Sequence, residues 1–403
     1  MKYIADKIVF SLNNIQANSS ILGDSKYNRE RMGELLFKNT IIYPALINSH
    51  DHLVGNWYPP AITKEKFVNS HIWVEAMKNH PTYLDRNTYW VNDGSFVLTN
   101  KKEITLCNLG VYKNLFSGVV AVHDHAPHQT DDYYNSFPIN VVKDFTQCHS
   151  LPLGNWWGDG SAEDEFAKAA GKKPFIVHLG EGVDQITAQE FTELKARNLL
   201  AANTMLIHGI ALKEKEIAEI AQAGATICWC PTSNENLIGS HLNIQSCLKQ
   251  GVNVVLGTDS TLSGGINLLA EMRFSKENFP DVQSKDIFQM VTSNAAKALR
   301  LSDEYGSLEH SSAELLALDQ NYDDPFDNLI LAKPKNIKLL LHKYKPILGD
   351  VEYLTHFNIN PEDYTYYKVG EREKFVVGDF KKLTDYVNSF LNYKKTFPYL
   401  PTN

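Results

Sequence analysis

The sequence lacks most of the features that mark specialised protein classes. It has no stretch of the ~18 apolar residues a membrane-crossing helix needs, and its start, MKYIADKIVFSLNN, has Lys2 but no apolar run long enough for a signal-peptide core. A cytoplasmic protein with no membrane partner is the expectation. There is no Lys/Arg block: 39 basic against 47 acidic residues leave a formal charge of −8, which gives no electrostatic footprint for nucleic acid or anionic lipid. Cysteine is sparse as well. The five thiols (Cys107, Cys148, Cys228, Cys230, Cys247) are odd in number and scattered, so they form no disulfide framework and point to a reducing compartment. Cys228 and Cys230, in C-W-C, share one face of a strand and read as small buried hydrophobes. With no internal repeat or low-complexity tract either, the expected partner is a small molecule.

What is present is an ordinary globular composition over 403 residues, 43% hydrophobic and 21% charged. At about 150 residues per domain this length suggests two or three domains, although one α/β barrel of ~250 residues would absorb most of it. From Ile41 to about Arg300 short apolar runs alternate with longer amphipathic ones, the signature of βα units around a parallel sheet. Strands are expected at Ile41–Ile47, Gly118–His123, Asn140–Phe145, Phe175–His178, Thr204–His208, Thr226–Cys230 and Val252–Thr258. A helix is expected over Lys213–Ala223, with Ile217, Ile220 and Ala221 on one face and Gly224 as its stop. A closed barrel wants eight strands, and the eighth is expected between Leu151 and Lys173.

The ends differ in character. Residues 1–40 and 306–345 are β-rich pieces bounded by polar turns, and 346–403 combines aromatic-rich loop with a helical run near Asp379–Asn392. The expected fold is therefore a (β/α)8 TIM-type barrel over 41–305 with a small discontinuous β-sandwich domain built from both ends. The tail is expected to pack on one or the other.

Chemistry gathers at strand ends. PALINSHDHL places His50 and His52 two apart, so both imidazoles project from one face at the carboxyl end of a strand, where α/β barrels keep their active sites. FIVHLGE ends in His178, MLIHG in His208 and VVLGTDS in Asp259, each an apolar run closed by a ligand-type residue. Imidazole and carboxylate donors without thiolate suit zinc, and also iron or manganese. Such an ion lowers the pKa of its bound water towards ~7 and so generates hydroxide at neutral pH.

This set, H-x-H, H-x-x-E, H and D on successive strands, resembles the amidohydrolase superfamily, in particular its cytosine deaminase, guanine deaminase and chlorohydrolase-like branch. The resemblance runs from about Ile41 to Asp319 and includes LIHGIALKEKEIAEIAQAGATICWCPTSNENL, VVLGTDSTLSGG and TSNAAKALRLSDEYGSLEHSSAELLALD. It implies that His50, His52, His178 and Asp259 hold one divalent metal and that Asp259 also accepts a proton from the attacking water. It further implies that His208 either binds a second metal or, as in mononuclear deaminase-like members, hydrogen-bonds the water and substrate, and that Glu181 carries a proton to the substrate. Lys143, in INVVKDF, is the candidate for the carboxylated lysine of dinuclear members; a solvent lysine is the favoured reading, and with it a single metal. His123 and His125 repeat the H-x-H pattern. His123, His149 and Trp57 are candidates for substrate contact, with Tyr58, Trp156 and Trp157 as further aromatic loop residues. Asn234, in PTSN, reads as structural.

The sequence departs from the pattern in a shortened N-terminal β segment and in His310–Leu315, where relatives carry Gly-Lys-x-Ala-Asp-Leu. The expected activity is hydrolysis of a non-peptide carbon–nitrogen bond in a small molecule, of deaminase or cyclic-amidase type, through metal-activated hydroxide. Carbon–halogen or ester hydrolysis by the same site, and a catalytically silent scaffold, are the alternatives. A homodimer is the base-rate expectation.

Overall fold

The computed structural model describes residues 1–23, 33–90, 97–154 and 160–391. The chain opens with three strands, β1 (Lys2–Ser11), β2 (Asn14–Leu22) and β3 (Glu34–Pro44). Eight short parallel strands follow: β4 (Leu46–Asp51), β5 (Val119–Asp124), β6 (Asn140–Val141), β7 (Thr146–Ser150), β8 (Phe175–Leu179), β9 (Thr204–His208), β10 (Thr226–Trp229) and β11 (Asn253–Leu256). It closes with β12 (Leu315–Asp319), β13 (Ile337–His342), β14 (Lys345–Asp350), β15 (Tyr364–Val369) and β16 (Arg372–Val377).

The parallel strands form two arcs, β4-β5-β6 and β11-β10-β9-β8-β7. Their residues are almost all buried because helices cover one face and strand side chains fill the other. Backbone hydrogen bonds from Thr258 and Asp259 N–H to the His50 carbonyl, at 3.0 and 3.1 Å, join the segment after β11 to β4. The glycine in G-T-D-S permits that approach, since a Cβ on Gly257 would lie 2.7 Å from the His50 Cβ. The helix expected at Lys213 runs over Glu214–Ala223, and Gly224 ends it in the left-handed conformation with φ 68°.

Three expectations need correction. The eighth parallel strand is not between Leu151 and Lys173, where the chain forms the helix Ala162–Ala169. It is β7, hidden because Asn140–Phe145 is a strand only over its first two residues and re-enters sheet structure at Thr146. The run Ile41–Ile47 is likewise two strands. Ile41–Pro44 close β3 and pair with β12, and the chain passes into β4 at Leu46. The end strands form one continuous eight-stranded sheet, β15-β16-β14-β13-β12-β3-β1-β2, where a sandwich of two sheets was expected. Hydrogen-bonded ladders link each neighbour to the next, some with a register shift, so β15 and β16 of the tail extend this sheet.

Candidate active site

The parallel strands deliver a crowd of imidazoles to one place. His50 is in β4, His52 one residue beyond it, His125 just beyond β5, His149 in β7, His178 in β8 and His208 at the end of β9. His50 is the hub: its ring centroid lies 4.8 Å from His52, 5.5 Å from His125 and 5.1 Å from His178. One nitrogen from each of His50, His52, His125 and His178 lies within 4.8 Å of the others. Burial and mutual repulsion hold the His50, His125 and His178 rings well below the usual imidazole range, so they stand neutral with lone pairs available.

Both ring nitrogens of His50 are buried without a hydrogen-bond partner among the described residues. A buried polar atom in that state is costly unless a ligand satisfies it. The His178 Nδ1–H donates to the His149 carbonyl at 2.8 Å, which leaves Nε2 as its free donor atom. A divalent cation fits this donor set, and nitrogen ligands with a carboxylate nearby suit zinc.

Asp259 stands beside the cluster, its Oδ1 3.7 Å from His52 Nε2. The Ser233 and Ser263 hydroxyls donate to its Oδ2 at 2.8 and 2.7 Å, and the Ser260 N–H donates to Oδ1 at 2.6 Å. Burial pushes this carboxyl up, but His52, His208 and these donors outweigh it and hold the group below the ordinary aspartate range. Glu181 goes the other way. Burial raises its carboxyl above the usual range against the pull of His208 and Ser70.

Its Oε1 is 3.4 Å from His208 Nε2, and the His208 Nδ1–H donates to Asn234 Oδ1 at 2.8 Å. Asn234 orients that ring, which gives the structural reading of PTSN a definite content. Both His208 and Asp259 sit in the left-handed region, with φ 74° and 54°. Non-glycine residues hold this conformation at a cost, and the surrounding hydrogen bonds keep them there.

These groups line one cavity of about 570 Å³, with His52, His125, His149, His178, Glu181, His208 and Asp259 at its floor. The far wall comes from the segment between β4 and β5. Ser70 N–H donates to the Glu181 carbonyl at 2.9 Å, and Asn69 bridges Gly182, where a Cβ would lie 2.6 Å from the Asn69 Cβ.

The remaining candidates divide. His149 lines the cavity. His123 does not: it is fully buried in β5 with its ring edge-on to Phe145 at 4.7 Å, and His125 takes the cavity position instead. Alternation alone would put both rings on one face; β5 ends at Asp124 and the chain bends at Ala126, so the second histidine leaves the strand and reaches the floor. Trp57 is 2% exposed in the 3-10 turn Leu53–Trp57 and belongs to the core, so it does not reach substrate; Tyr58 is buried beside it. Trp156 and Trp157 lie outside the described residues. Lys143 is exposed and paired with Asp131 at 2.7 Å, away from the cavity.

Sequence reasoning missed two further features. Under the floor, the fully buried Lys113 ammonium donates to Asn56 Oδ1 at 2.7 Å, Thr258 Oγ1 at 3.2 Å and the Asp259 carbonyl at 3.1 Å, and pairs with Asp51 at 3.1 Å. The far wall carries His71, whose Nε2 is 2.9 Å from Glu190 Oε1. The H-D-H motif draws attention to Asp51, but nothing local points to a lysine on the helix Lys101–Leu115.

Comparison with known proteins agrees with this geometry. Residues 158–345 match the model of the amidohydrolase family. A 5-methylthioadenosine/S-adenosylhomocysteine deaminase from Pyrococcus horikoshii is 30% identical over 372 residues, covering 79% of this chain and 85% of the relative. A guanine deaminase from Mus musculus is 29% identical over 171 residues, covering 37% of this chain and 38% of its own. Among solved structures, atrazine chlorohydrolase TrzN from Arthrobacter aurescens TC1, complexed with zinc, superposes with a TM-score of 0.67 at 17% identity, over 88% of this chain and 98% of that one.

Proposed function

The chain belongs to the amidohydrolase family, and from that premise we propose that it removes ammonia from an amino-substituted, purine-type heterocycle at a site holding one zinc ion. It is a hydrolase acting on a non-peptide carbon–nitrogen bond of a small molecule, with deaminases among its relatives. The names of those relatives, which act on adenosine derivatives and guanine, support the purine-type substrate. In this reading the two arcs of parallel strands close into one (β/α)8 barrel over 41–305, with the small β domain and tail attached. The five buried, unpaired cysteines support a cytoplasmic setting.

His50, His52 and His178, with His125 and Asp259 adjoining, would hold a divalent ion, which would supply Lewis acidity and hydroxide at neutral pH. The protein's own groups do the rest. Asp259, kept ionised by its serine donors, is placed to take a proton from the nucleophilic water. Glu181, whose carboxyl burial makes a weaker acid than usual, is placed to carry a proton to the leaving nitrogen. His208, oriented by Asn234, presents Nε2 to the cavity, where it is placed to accept a hydrogen bond from the nucleophilic water. The segment Asn69–Ser70, bound to the backbone around Glu181, helps to keep bulk water from the carboxyl.

The observation that carries this reading is the convergence of four imidazoles with the buried carboxyls of Glu181 and Asp259 at one cavity. Ammonia release from aminopurines and their nucleosides by the zinc-loaded protein is the test. Turnover should fall roughly 10²–10⁴-fold in Glu181→Gln and as steeply in Asp259→Asn, with metal still bound in the glutamate variant. No ammonia from any of these compounds, or less than about half an equivalent of metal per chain after loading, would overturn it.

A further inference from the structure

The cavity floor accounts for the reacting end of a substrate; the opposite wall carries charges that the reaction does not use. That wall is formed by the helices Ser70–Met77 and Pro81–Trp90 and contributes His71, Trp73, Glu75, Lys78, Tyr83 and Arg86 to the cavity. Most of its charges are already matched. Lys78 pairs with Glu75 at 2.5 Å. Glu190 accepts from the Gly180 N–H at 2.6 Å with one oxygen and meets His71 with the other.

Arg86 differs. No carboxylate among the described residues pairs with it; its guanidinium lies 4.0 Å above the Tyr83 ring and donates to the neutral Asn87 side chain at 3.1 Å. Asn87 Oδ1 accepts from both Nε and Nη2, at 3.3 and 3.1 Å, and the Tyr83 ring braces the guanidinium, so Arg86 lines the cavity with its charge unmatched by a carboxylate among the described residues. Arg86 acts electrostatically on both His52 and His149, so its charge is felt across the cavity floor.

His71 stands on the same wall. Its Nε2 faces Glu190, and its Nδ1 is buried with no hydrogen-bond partner. Burial opposes charging of this ring, but Glu190, Glu181 and Asp184 outweigh it and favour the imidazolium, which makes Nδ1 a donor. Glu190 already balances His71, whereas no carboxylate among the described residues pairs with Arg86, so the wall retains an unmatched positive charge facing the cavity. A volume of about 570 Å³ accommodates both a heterocycle and an attached side group.

We propose that this wall is an anion subsite, in which Arg86, assisted by His71, binds a carboxylate or phosphate carried by the same molecule whose amino-heterocycle lies over Glu181. The proposal rests on the deaminase reading and narrows it, because it makes the substrate an acidic derivative and not a neutral base or nucleoside.

Three probes separate the cases: adenosine, adenosine-5′-carboxylic acid and adenosine 5′-monophosphate. Each is assayed with the zinc-loaded full chain for ammonia release and, independently, for equilibrium binding by calorimetry. One acidic probe should exceed adenosine in kcat/KM and affinity by about tenfold to a hundredfold, mainly through KM, and which one does so distinguishes carboxylate from phosphate. Arg86→Gln should erase that preference, whereas Arg86→Lys, which keeps the charge without the fork, should retain part of it. Equal affinity for all three, or a preference untouched by Arg86→Gln, overturns the subsite. Arg86-dependent binding of an acidic probe with no ammonia from any compound would leave the subsite standing and overturn the deaminase reading instead.

Discussion

At the scale of single residues, burial decides which acids in the cavity region hold a proton. Glu271 lies behind Asp259, with Oε1 accepting from the Thr232 N–H at 2.8 Å and Oε2 buried without a partner. Burial pushes its carboxyl up to about 8 from an ordinary 4.5. Between those values the folded protein keeps a proton that the unfolded chain has released, so stability is fully present below the lower value and is lost as pH rises towards the upper. Glu271→Gln removes that dependence. Its melting temperature should exceed that of the parent near pH 8 and differ little near pH 5; parallel pH profiles for the two proteins would show that Glu271 ionises freely. Such residues are hard to identify from sequence because nothing in LLAEMRF marks Glu271 as buried. By contrast, His50, His178, His208 and Asp259 each end an apolar run, and that local signal sufficed to pick them out.

At the scale of elements, β4, β11 and the helix Lys101–Leu115 are pinned together by one ammonium. Lys113 and Asp51 are both 0% exposed in side chain, and Asn48, Asn56, Asn114 and Thr258 complete the network. Removing one partner strands a buried charge. Lys113→Met should therefore cost about 3–5 kcal/mol in urea unfolding, and adding Asp51→Asn should restore part of it. A cost below about 1 kcal/mol would mean that water reaches the carboxylate and the pin is dispensable. This network also explains why Asp51 stands between His50 and His52: its carboxylate faces the lysine while the two imidazoles face the cavity. The alternation of side chains was legible; the partner 62 residues away was not.

At the scale of the whole molecule, the eight-stranded sheet makes the two ends of the chain interdependent. Phe375 and Val376 in β16 are fully buried, Lys374 pairs with Asp350 at 2.6 Å, and Arg372 binds Asp319 through two bonds of 2.8 Å. Tyr112, on the helix that carries Lys113, donates to the Val377 carbonyl at 2.6 Å and packs on Phe380 at 5.0 Å. The tail thus packs against the element that supports the active site. Ending the chain after Asp350 should yield insoluble protein, or a fall in melting temperature of roughly 10 °C or more. A soluble product melting with the full chain would show the tail to be an appendage.

The sequence by itself determined the alternation of strands and helices, the strand-end histidines and Asp259, and through them the chemistry. All of these are local patterns of period two or 3.6, read over a dozen residues. Only the tertiary structure decided that His125 and not His123 reaches the floor, that Trp57 is core, that the eighth strand is β7, and that Lys113, His71 and Arg86 surround the site. Those facts depend on which distant segments share a boundary: a bend after β5, a 3-10 turn folding Trp57 inward, a hydrogen bond between residues 210 apart such as Asn48 and Thr258. Such contacts follow from packing the elements together, and no short window of sequence contains them.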